Sequence, residues 1–186
     1  MVVFAHGSGS SRFSSRNRFV ASELHKRRFA TLLIDLLTHE EEQIDARTAR
    51  LRFDIHLLAK RLIHAAEWLR ANDDTRDLPI AFFGASTGAA AALVAAAELG
   101  SAISVIVSRG GRPDLAAEAL ERLIQPTLLI VGGEDQPVIR MNCTAMAKLR
   151  AETRLEIIPG ATHLFEEPGA LDRVANLAGD WIEQHL

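Results

Sequence analysis

The sequence predicts an α/β fold: a three-layer αβα sandwich built on a mostly parallel sheet of six strands. Three observations carry this. Six short apolar runs recur along the chain, the runs are continuous rather than alternating, and segments with helical periodicity separate them. A strand buried on both faces reads as unbroken apolar sequence, and a parallel pair needs a crossover that a helix usually supplies.

The runs are VVFA at 2–5, ATLLIDL at 30–36, PIAFF at 79–83, AISVIV at 102–107, PTLLIVG at 126–132 and RLEIIP at 154–159. Between the second and third, Leu51, Ile55, Leu58, Leu62, Ala65 and Leu69 form one apolar stripe at three- and four-residue spacing. Arg52, Lys60, Arg61 and Glu67 fall on the other faces, as an amphipathic helix requires. Leu171, Val174, Leu177, Trp181 and Ile182 repeat the pattern near the C-terminus. The alanine-rich stretch 89–97 reads as a helix packed closely on the sheet. No fixed-period repeat and no Pro- or Gly-rich linker divides the chain, so residues 1–186 are expected to form one domain.

With 186 residues, 48% of them hydrophobic, the chain can bury a sizeable core. A formal net charge of −3 supplies no broad basic field, which argues against a nucleic-acid partner and for a small-molecule one. Cys143 stands alone, so no internal disulfide forms and a reducing, cytoplasmic setting is expected. No window approaches the roughly 18 apolar residues of a membrane-spanning helix, and a signal-peptide pattern is missing; no membrane association is expected.

Ligands of such sheets gather beyond the carboxyl ends of the strands. The segments there are HGSGSS, DLLTHEEE, GASTG, SRGGRPD, GGEDQPV and GATHLFEE. GASTG places Ser86 between Gly84 and Gly88, directly after a predicted strand and directly before a predicted helix. That is the setting of a nucleophile elbow, where the serine takes a strained conformation and small neighbours let helix and strand nearly touch. A plain Gly/Ser turn or a phosphate-binding helix start would use similar residues.

A serine hydroxyl needs a base, and the base needs an acid to fix its tautomer. GGED ends in Glu134 and Asp135, and GATH ends in His163, each just past a strand. The order serine, acid, histidine fits one of the three well-known triad orders. His25, His56 and His64 fall within helical patterns, His185 near the terminus and His39 in an acidic run, so none competes with His163. An oxyanion hole requires backbone N–H groups; the Thr87 N–H supplies one, and the loop HGSGSS offers another from Ser8 or Gly9. That loop has Arg12 where a dinucleotide fingerprint needs its third glycine.

HGSGSS, GASTG, GGEDQPV and PGATHLFEEPG, in this order at these strand ends, resemble the α/β-hydrolase superfamily, and more narrowly its small dienelactone-hydrolase-like group. The resemblance spans nearly the whole chain. It implies Ser86 as nucleophile, His163 as general base and acid, Asp135 rather than Glu134 as the orienting acid, and Thr87 and Ser8 as oxyanion donors. It implies no metal and no cofactor. Three departures stand beside it. Dienelactone hydrolases use cysteine as nucleophile where this chain has Ser86, and Cys143 is not its counterpart. The antiparallel hairpin that usually precedes the first HG strand has no counterpart before Val2: either the sheet is reduced to six parallel strands, which bares an edge and makes a homodimer an expectation, or the natural chain starts before Met1. The segment after the fourth strand has room for only one short helix, so no lid domain is expected. Arg109, at the rim, would hold a substrate carboxylate or, as the favoured reading, sit solvated or capping. The expected function is a serine hydrolase of small esters or thioesters working through an acyl-enzyme. An acyltransferase and a non-catalytic binding module of the same fold are the alternatives.

Overall fold

The computed structural model describes residues 1–186. In chain order the elements are β1 (Val2–Ala5), α1 (Ser15–Lys26), β2 (Thr31–Leu33), α2 (His39–Thr48), α3 (Ile55–Ala71), β3 (Ala81–Ala85) and α4 (Thr87–Leu99). They continue as β4 (Val105–Arg109), α5 (Ala117–Leu120), β5 (Thr127–Gly132), α6 (Gln136–Met146), β6 (Thr153–Ile158) and α7 (Ala170–His185). The strands form one sheet in the order β2-β1-β3-β4-β5-β6, with every neighbouring pair parallel. All six predicted runs become strands, and neither an antiparallel hairpin nor a lid domain is present.

The continuous runs are explained by burial. β1, β3, β4 and β5 are buried along their whole length, whereas the edge strands β2 and β6 are only half-buried. On one face, Val3, Ala5, Phe82 and Ile106 meet α3 and α4 through Leu62, Leu69 and Leu93. On the other, Val2, Phe4, Phe83 and Val107 meet α1 and α7 through Val20, Leu24, Val174 and Trp181. Phe4 and Phe83 stack with ring centroids 4.8 Å apart. Each fully buried ring of this kind contributes about 1.5–3 kcal/mol relative to an exposed one. No helix is long and apolar enough to cross a membrane.

Three boundaries differ from the sequence expectation. Leu51 lies in a 3-10 turn, Leu51–Phe53, and not in the helix of its stripe, because the Asp54 carboxylate accepts the Leu57 N–H and starts α3 at Ile55. Ala66, rather than Ala65, is the alanine on the fully buried stripe of α3. A 3-10 turn at Gly100–Ala102 delays β4, which then runs on through Ser108 and Arg109. Side chains alternate along a strand, so Arg109 shares the α1/α7 face with Val105 and Val107.

Candidate active site

β3 ends at Ala85 and α4 begins at Thr87, leaving Ser86 as the single residue of the turn. Its backbone has φ 51° and ψ −118°, a left-handed conformation that a residue with a Cβ adopts only under constraint. Two close approaches impose it. A Cβ on Gly84 would overlap the backbone of Ala89, and a Cβ on Gly88 would overlap the carbonyl oxygens of Ala5 and His6. The Ser86 N–H donates to the Arg109 carbonyl at 3.1 Å, and the Ser86 carbonyl accepts from Ala89 and Arg112. α4 is buried from Thr87 to Ala96, and its alanines let it lie close on the sheet.

The loop after β1 runs alongside. Gly7 sits against the Ser86 Cβ, so Ser8 stands beside Ser86. The N–H groups of Ser8 and Thr87 find no acceptor among the loop, turn and cap hydrogen bonds. His6, which the sequence reading passed over, holds this loop. It is buried, its Nε2 accepts the Leu36 N–H at 3.1 Å, and its Nδ1 therefore carries the proton and donates to the Gly7 carbonyl at 2.9 Å. Its signal in the sequence was the position directly after β1, where a side chain turns under the loop.

Asp135 and His163 arrive on two loops that interlock. The Glu134 N–H donates to the Ala161 carbonyl at 3.0 Å and the Gly133 N–H to the Ile158 carbonyl at 2.8 Å. Asp135 Oδ2 then lies 2.6 Å from His163 Nδ1, with the Asp135 side chain 13% exposed. Glu134 turns outward into solvent. The bond to Asp135 fixes the Nδ1–H tautomer and leaves Nε2 as the free acceptor.

Ser8, Ser86 and His163 line one cleft of about 170 Å³, together with Ser10, Ser14, Arg16, Asn17 and Arg109. No hydrogen bond joins Ser86 to His163 within it, a link that often closes only around substrate. A larger cleft of about 460 Å³ lies on the other side of the same loop and is walled by Phe13, Leu58, Thr87 and the Asp45–Arg52 ion pair. No cluster of three or more His, Cys, Asp or Glu side chains is placed to hold a metal ion.

Arg109 departs from its expectation as a solvated or capping residue. It is 8% exposed, inside the cleft, because β4 extends two residues farther than the apolar run suggested. Its Nη2 donates to Asn17 Oδ1 at 3.3 Å and its guanidinium lies 5.9 Å from the Phe165 ring centroid. Nε and Nη1 have no partner. Desolvation, reinforced by the nearby Arg16 charge, pushes the guanidinium down to about 10.

Residues 1–183 match the dienelactone hydrolase family. A crystal structure of dienelactone hydrolase from Anabaena variabilis is 61% identical, with a TM-score of 0.97 over all of this chain and 86% of that one. Est1E from Butyrivibrio proteoclasticus shares the fold at 14% identity, with a TM-score of 0.82 over 98% of this chain and 86% of its own. A Mycobacterium tuberculosis protein that carries the provisional name phosphoribosyl transferase is 57% identical over all 186 residues, and the chain spans 41% of its length. The family match over residues 1–183 and the 61% identical structure show that the chain belongs to the dienelactone hydrolase family.

Proposed function

We propose that the protein is a serine hydrolase that cleaves a small ester or thioester through an acyl-enzyme. The observation that carries the reading is the Asp135–His163 hydrogen bond of 2.6 Å, in a cleft whose remaining reactive group is a serine on a strained turn. Backbone strain held in place by its packed surroundings is characteristic of a site that needs a side chain exposed in one orientation.

In the first step the Ser86 hydroxyl adds to the substrate carbonyl while His163 Nε2 takes its proton. Asp135 holds the ring and stabilises the imidazolium that forms. The carbonyl oxygen, now carrying the negative charge, accepts from the Thr87 and Ser8 N–H groups, each such donor contributing roughly 3 kcal/mol to the transition state. His163 returns the proton to the leaving alcohol or thiol, the C–O or C–S bond breaks, and the acyl group remains on Ser86. Water then repeats the sequence, with His163 again as base, to release the acid and restore the serine. Every proton has a holder within this chain, and the mechanism draws on no cofactor.

A fluorophosphonate probe tests the reading. Labelling of the wild type and none of Ser86→Ala is the expected result; equal labelling of both, or of neither, refutes it. Water competes with other acceptors in an open cleft, so transfer of the acyl group to added alcohols or amines would recast the same chemistry as an acyltransferase. A lone exposed thiol at Cys143 supports a cytoplasmic setting.

A further inference from the structure

The sheet ends in two edges, and they are not alike. β2 offers three residues, Thr31–Leu33, whereas β6 offers six, Thr153–Ile158, held in unbroken register against β5. No strand of the sheet lies beyond β6. Native edges are usually blunted by proline, by a bulge or by charged side chains that discourage a second strand. β6 has neither proline nor bulge, and its two charges, Arg154 and Glu156, are opposite in sign.

Which groups stay unpaired follows from the ladder. The Glu152 and Ile158 carbonyls accept the Thr127 and Gly133 N–H groups, each at 2.8 Å. Backbone groups alternate along a strand, so those of Arg154 and Glu156 also point to β5, and those of Thr153, Leu155 and Ile157 point outward. Side chains alternate too, which sets Thr153, half-buried Leu155 and 41% exposed Ile157 on one face and the two charges on the other. Arg154, its side chain 58% exposed, meets Glu156 Oε1 through Nε at 2.6 Å, and a guanidinium has more N–H groups than that one oxygen takes up.

We infer that β6 pairs antiparallel with β6 of a second copy of this chain, about a two-fold axis at Leu155. In that register Leu155 meets Leu155 and Thr153 meets Ile157, each pair exchanging both backbone hydrogen bonds through the groups that point outward. Arg154 of each copy then stands opposite Glu156 of the other, at the closer, non-hydrogen-bonded positions, and the four charges alternate in sign. Moving the axis to Arg154 or to Glu156 sets like charges against each other, which is destabilising, so the charges select the Leu155 register. A second copy is the occupant because the strand is complementary to itself. β2, with half as many residues, has no such pattern.

Sedimentation velocity of the full chain over a micromolar concentration series tests this. A species of twice the chain's mass that grows with concentration is expected. Arg154→Glu and Glu156→Arg each put like charges across the axis and should weaken association on the order of tenfold or more. Combining the two makes the facing charges opposite again and should restore the dimer, which also controls for damage to the fold. A Cys143→Ser background removes the one native thiol. There, mild oxidation should cross-link Leu155→Cys to its own mate, about 5.5 Å away between Cα atoms, and leave Thr153→Cys unlinked. A chain that stays monomeric throughout, a dimer indifferent to both single reversals, a double variant no more dimeric than the single ones, or cross-linking at Thr153 in place of Leu155 would each overturn the inference.

Discussion

Two charges are buried in this molecule, and they are buried differently. Asp45, on α2, is 4% exposed and fully engaged: its carboxylate accepts from the Arg52 Nε at 2.6 Å and from the Arg52 backbone N–H at 3.0 Å. Arg109 is 8% exposed and has two nitrogens with no partner. The first arrangement is closed, and it braces α2 against the turn that precedes α3. The second is open, and it opens on Ser86. A buried charge that is already satisfied contributes architecture, whereas one left waiting is an offer to something that arrives later.

The largest effect should come from testing whether the open charge shares its cleft with chemistry. Ser86→Ala is expected to lower kcat/KM for a short ester on the order of 10³-fold or more while circular dichroism and melting stay native. Asp135→Asn should fall in a similar range, because His163 loses the partner that fixes its tautomer.

Stability should then separate the two charges by sign. Asp45→Asn leaves Arg52 facing a neutral amide and should lower the melting temperature by a few degrees. Arg109→Met exchanges an unpaired cation for an apolar chain of similar length and should hold or raise the melting temperature. A loss comparable to that of Asp45→Asn would show that Arg109 braces the fold after all.

The smallest effects lie in pH. Burial alone would raise the Asp45 carboxyl, but the Arg52 backbone N–H and guanidinium overcome it and hold the group below its ordinary value. Its stabilisation is therefore present above the unfolded value, about 3.9, and disappears as pH falls through the lower folded value. Asp45→Asn should remove that part of the acid-unfolding curve. For Arg109 the folded value, about 10, lies below the unfolded one, so the cost of its charge is full below about 10 and lifts as pH rises beyond it. The stability gap between Arg109→Met and wild type should narrow on that alkaline side.

The same contrast explains what the sequence made legible. Four central strands have both faces covered, so their apolar runs are unbroken and easily found; the edge strand β2 keeps only Thr31–Leu33 of a seven-residue run, since one side has no neighbour to pair with. Ser86, Asp135 and His163 stood out because the proposed chemistry asks for particular residue types just past strand ends, and the structure brings Ser86 and His163 into one cleft and Asp135 onto His163. His6 was not, because its role is to hold a backbone loop, and a single histidine beside a glycine carries little signal. Arg109 was misplaced by a boundary. With the strand expected to stop at Val107, the arginine fell in a loop and was assigned to water; two more residues of β4 turn it inward against Phe165. A shift that small inverts the environment of a side chain.

The alanine surface of α4 has one more consequence, for motion. A helix whose buried residues are mainly alanine, with few rotamers to exchange, seated on β1, β3 and β4, has few ways to yield, so amide hydrogen exchange there should approach the rate of whole-molecule unfolding. The opposite wall, the 159–169 loop that carries His163, is tied as well: the Ala161 carbonyl accepts the Glu134 N–H, and Ala161 and Phe165 are buried. A cleft framed by packed backbone on both sides is expected to keep its shape as ligands come and go.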